Sequence, residues 1–171
     1  MLDHKNGFME NIVNEEERII GFIPEMKKKT GLFSSTIYTL VVTNTRILFV
    51  QLAPARAKEV AQQAIQQAKA EGKGYFHRSM EAMMSRRRIM EVYRSMKPEE
   101  ILHETRGNFY IENQSIQKVK ITSDSGYLDE SYKDGKSTMV ITTNIEKIKL
   151  KTTNLDVKAV KEMLNRGAIS T

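Results

Sequence analysis

Residues 37–52, IYTLVVTNTRILFVQL, constrain the fold of this chain more than any other stretch. β-Branched and aromatic residues fill two arms on either side of Thr43-Asn44-Thr45-Arg46, and such residues suit a pleated strand better than a helix. The spacing predicts a hairpin, with Asn44 supplying the left-handed backbone that a short turn demands. Both arms are apolar almost without a break. A strand with one wet face alternates, whereas one covered on both faces does not. The pair is therefore expected at the centre of a sheet.

The flanking segments extend this reading. Glu16–Lys27 (EERIIGFIPEMK) reads as a strand in which Pro24 marks an edge position or a bulge. The glycine and serines of Lys28–Ser35 mark a loop. At Pro54 the period changes. Ala53–Glu71 is rich in Ala, Gln, Lys and Glu, with apolar positions at helical spacing and Gly72-Lys73-Gly74 as a stop. A second helix is predicted over Tyr75–Met96, and Lys97-Pro98-Glu99-Glu100 opens a short third one. Strands return over Gly107–Thr122, Tyr127–Lys133, Ser137–Thr143 and Lys147–Thr152, with Asp134-Gly135 as a hairpin turn. A helix over Leu155–Arg166, capped by Asn154 and stopped by Gly167, closes the order.

This succession resembles the pleckstrin-homology-like superfold in its prokaryotic versions. Three passages carry the likeness. LVVTNTRILFV (Leu40–Val50) is similar to an L-x-x-T-x-x-R-hydrophobic strand pair, and KPEEILHETRGNFYIENQSIQKVKI (Lys97–Ile121) to a short helix leading into strands. The last strand and the helix Leu155–Arg166 resemble the closing elements of that superfold. The resemblance implies an α+β fold: an antiparallel β-barrel or sandwich of about seven strands, a C-terminal capping helix, and a helical hairpin inserted over residues 53–97 of a single domain. Two features depart from the family. The chain has no tryptophan, and Ile37–Val42 lacks the basic residues of its lipid-binding members. Specific recognition of a phosphoinositide head group is not implied.

Catalytic patterns are absent from the sequence. With no cysteine, thiol catalysis and thiolate metal sites are excluded. His4, His77 and His103 stand far apart without ligand spacing. Asp124, Asp129, Glu130 and Asp134 do not follow the calcium-loop pattern, and Gly72-Lys73-Gly74 lacks the strand and spacing of a phosphate loop. A non-enzymatic protein is expected, with no cofactor, metal or small-molecule substrate. No apolar run is long enough to span a bilayer and no signal-peptide pattern opens the chain, so a cytoplasmic setting is expected.

Binding surfaces are the better prospect for a chain of net charge +6. Met80, Met83, Met84 and Met90, with Arg87 among them, give the second predicted helix a polarisable, repackable face. That face suits self-association or docking of another protein through residues 53–97, and this is the first expectation. The alternative is peripheral binding to an anionic membrane surface through Lys27, Lys28 and Lys29, with Leu32 and Phe33 entering the interface. Nucleic acid is disfavoured, because Arg86–Arg88 spread around a helix with few aromatic residues between them.

Overall fold

The computed structural model describes residues 16–52, 54–72, 85–124, 135–153 and 155–171. Strands β1 (Ile19–Lys29), β2 (Ser35–Thr43) and β3 (Arg46–Val50) come first. Helices α1 (Pro54–Ala70), α2 (Ser85–Ser95) and α3 (Pro98–His103) follow. Strands β4 (Phe109–Glu112), β5 (Ile116–Asp124), β6 (Lys136–Thr143) and β7 (Lys147–Thr153) lead to α4 (Val157–Arg166). The strands form one seven-stranded antiparallel sheet in the order β4-β3-β2-β1-β7-β6-β5.

The sheet curls so that its two halves enclose one core. Ile23, Leu40, Ile47 and Phe49 from the first half meet Val119, Met139, Ile141, Ile148 and Leu150 from the second, and Val160 and Leu164 of α4 cover them. A second apolar layer lies outside. Val41, Leu48 and Val50, on the opposite face of β2 and β3, pack against Val60 of α1, Ile89 and Tyr93 of α2, and Ile101 of α3. This explains the unbroken apolar run of the central hairpin: alternate residues enter alternate cores. The inserted helices therefore lie on the sheet.

Several local expectations change. β1 is no edge strand, since it pairs with both β2 and β7. Pro24 is accommodated by a bulge, where the register shifts between Ile23 and Met26 and Glu25 takes φ +58°. Lys28 and Lys29 belong to β1, so the loop shrinks to residues 30–34. Asn44 does not adopt a left-handed backbone. Its side chain instead accepts from the Arg18 amide at 2.8 Å, pinning the chain that enters β1. Gly107–Thr122 divides into β4 and β5 at a single 3-10 turn, Asn113–Ser115. The cap of α4 is Asp156, which accepts from the Ala159 amide at 3.0 Å, in place of Asn154. Gly167 has φ −84°, so its role there is close approach: a Cβ would sit 3.2 Å from the Thr43 carbonyl oxygen. The expected strand Tyr127–Lys133 lies outside the described residues.

Candidate functional site

Two polar clusters form inside the fold, and both join elements distant in sequence. In the first, Glu17 Oε1 accepts from the Thr43 hydroxyl (2.8 Å), the Thr45 hydroxyl (3.0 Å) and Arg46 Nε (2.9 Å). Arg46 Nη2 donates to Glu17 Oε2 at 2.9 Å and to Glu99 of α3 at 2.6 Å. The guanidinium also lies 4.6 Å from the Tyr110 ring centre. Burial raises the Glu17 pKa, but the hydrogen bonds from Arg46, Thr43 and Thr45 together outweigh it and leave it lowered. The Thr43 hydroxyl further accepts from the Arg46 amide at 2.9 Å. The T-x-x-R spacing is thus a turn lock.

The second cluster holds the helices together. Arg56 of α1 donates to Glu104 at 2.7 Å, and the Tyr93 hydroxyl of α2 donates to the other oxygen of Glu104 at 2.5 Å. The sequence pairs Glu104 with His103 only by adjacency. In the fold Glu104 turns inward, while exposed His103 bonds the Glu99 carbonyl of its own helix. Burial, followed by the bond to Glu104, pushes the Tyr93 phenol far above 10. A folded phenol that keeps its proton longer than the unfolded one loses stability as pH rises. Folding stability is expected to decline once the pH passes about 10, and Tyr93→Phe should flatten that decline. Denaturant unfolding at two pH values, below and above that point, measures it. Equal slopes in both proteins would contradict the assignment.

Of the two clusters, the second borders a groove, through Tyr93. Among the described residues no group of His, Asp or Glu could hold a metal ion. A groove of about 310 Å³ opens beside the β1 bulge. Ile37, Leu52 and Met90 line it, with Tyr38, Ile89 and Tyr93.

The residues singled out from sequence fall in different places. Met80, Met83 and Met84 lie outside the described residues, as does the Arg87 side chain, although its backbone is in α2. Lys27, Lys28 and Lys29 end β1, and Lys28 Nζ lies 4.8 Å from the Phe109 ring centre at the rim of the inner core. The loop after them is tied at its base, where the Thr30 and Gly31 amides both donate to the Ser34 carbonyl at 3.0 and 3.3 Å. Its tip is bare: Phe33 is 98% exposed and Leu32 77%.

The sequence reading missed a companion tip and a face. β1 and β7 are antiparallel neighbours, with Lys27 opposite Lys151 and Lys28 opposite Leu150. Counting outward from that register brings the β1–β2 loop and the β6–β7 turn to the same end of the two strands. Ile145 in that turn is 95% exposed. The alternation of β7 places Ile148 and Leu150 in the core and Lys147, Lys149 and Lys151 in solvent. The period-2 alternation of Lys147–Thr152 predicts a half-buried strand with its lysines facing water, and the structure agrees. Their alignment with β1 depends on a pairing between the two halves of the chain that no local pattern encodes.

No family model, curated protein or solved structure matches the chain.

Proposed function

We propose that the chain is a non-enzymatic, pleckstrin-homology-like module that attaches peripherally to anionic lipid surfaces through the β1–β2 tip. One observation carries this reading: Leu32 and Phe33 are left in water at the end of a strand that closes with three consecutive lysines. Burying such a side chain is worth about 1.5–3 kcal/mol, so a monomer gains nothing by leaving the pair in water. A lipid interface takes up the apolar tip while anionic head groups meet the ammonium groups behind it. A cytoplasmic setting goes with this reading, because that leaflet carries the anionic lipid. The superfold assignment is supported by the strand order, by the bend of β1 into both halves of the sheet, and by α4 over the core. A binding role fits the two polar clusters, whose charges are spent on bridging elements of the fold.

Self-association through the inserted helices has less support. Val60, Ile89 and Tyr93 face the sheet, while Gln62, Gln63, Gln66 and Gln67 of α1 face solvent.

Phe33→Ser should weaken binding to phosphatidylserine-containing vesicles about ten- to a hundredfold, read by co-sedimentation. Thermal unfolding should not change, since Phe33 is almost wholly exposed. Undiminished vesicle binding by the variant would remove the proposal.

A further inference from the structure

We infer that the outer face of β5, β6, β7 and β1 is a second and broader docking surface, and that its occupant is the same anionic bilayer into which the β1–β2 tip inserts. This rests on the membrane reading and adds to it a surface lying away from the loop.

The register defines the face. Thr142 of β6 pairs with Lys118 on one side and Lys147 on the other. Val140 pairs with Lys120 and with Lys149 in the same way. With strands about 4.8 Å apart, each row holds two lysines about 10 Å apart across a small neutral residue. In the next row Lys151 of β7 stands directly opposite Lys27 of β1. All six lysines are exposed, while the residues alternating with them enter the core. The stretches 116–123, 136–143, 147–153 and 26–29 contain no acidic residue, and the acids of these strands, Asp124 paired with Lys136 and Glu25 at the bulge, stand at the borders of the face. Among the described residues none of these lysines forms an ion pair.

Folding does not account for the lysines of β7 and β1. Like charges directly opposite each other weaken a sheet. Lysines guard exposed strand edges, which accounts for Lys118 and Lys120 on the edge strand β5, but β7 and β1 lie in the interior of the strand order. A flat array of ammonium groups with acids only at its borders, Asp124 and Glu25, suits a polyanion that offers area, not one that fills a pocket. Nucleic acid is the less fitting polyanion, because the outward positions of these rows are Lys, Thr and Val, with no aromatic ring on which a base could stack. The apolar tips Phe33 and Ile145 stand at the end of this face, where a bilayer would receive them.

The experiment uses the full chain and the double variant Lys120→Gln/Lys149→Gln, which leaves the loop intact. Each lysine near an anionic membrane changes binding about fivefold, so the variant should bind phosphatidylserine vesicles about 25-fold more weakly than wild type at low salt. Its thermal stability should be unchanged or slightly raised. If wild type binds and the variant binds equally well, the face is not a contact, although the loop reading stands. If wild type does not bind, the loop reading fails and takes the inference with it. If an oligothymidylate captures wild type more tightly than the vesicles do, and the variant loses that binding, the occupant is nucleic acid and the lipid assignment is overturned.

Discussion

Replacing Arg46 by methionine is expected to cost the fold about 3 kcal/mol at neutral pH. Methionine is similarly unbranched, but it removes every charged donor and the guanidinium over the Tyr110 ring. Glu17, its side chain 22% exposed, then keeps only the two threonine hydroxyls, and Glu99 keeps only His103 Nδ1, at 3.4 Å. Removing one member of a deeply buried pair costs about 3–5 kcal/mol, and partial solvent access here argues for the lower end. The effect should depend on pH with a defined sign. The Glu17 pKa is lowered in the folded state, so its contribution is present above the unfolded carboxylate pKa and is lost as pH falls through the folded one. The gap between wild type and variant should therefore narrow from pH 7 toward pH 3. Adding Glu17→Gln should recover part of the loss, since no carboxylate is then left unpaired. A loss under about 1 kcal/mol at neutral pH would mean that the cluster is a surface contact of ordinary weakness.

Phe49→Ala should be more damaging still, by about 4 kcal/mol. Phe49 is fully buried and stacks on Phe109 with ring centres 4.4 Å apart, while Tyr38 meets both rings edge-on at 5.9 and 5.6 Å. Truncation removes the transfer energy of the ring, opens a cavity and deletes two aromatic contacts. It also loosens the link between β2, β3 and β4, on which Lys28 rests. The denaturant midpoint should fall with the slope unchanged. Leu48→Ala, one residue away, reports the outer layer instead, because Leu48 packs under the helices. A Phe49 variant as stable as wild type would contradict the inner core as described.

The central hairpin was the most legible part of the sequence, because β-branched residues packed that densely have few other uses. Its lack of alternation was legible too, but its cause was not. Centrality in the sheet covers only the edges of a strand; the second face is buried by α1, α2 and α3, which the chain adds later. Pro24 announced an irregularity, and the register supplied its form, a bulge that lets a long β1 serve both halves of the sheet. The cap of α4 moved from Asn154 to Asp156 because either residue type caps well and the choice depends on where the chain leaves β7. Of the candidate site, Lys27–Lys29 and Phe33 were readable as a local run. Glu104 was not, since its partners Arg56 and Tyr93 come from two other helices, Arg56 from 48 residues earlier in the chain. Nor was the lysine face, which exists only once β7 lies beside β1.

The most direct test of the membrane proposal is co-sedimentation of the unaltered chain with two kinds of vesicle. One is purely zwitterionic, the other carries phosphatidylserine, each at about 0.05 M and about 0.5 M salt. Binding to the anionic vesicles at low salt, reduced steeply at high salt and weak on neutral lipid throughout, is the predicted result. A chain that stays in the supernatant with anionic vesicles at low salt would contradict the proposed function.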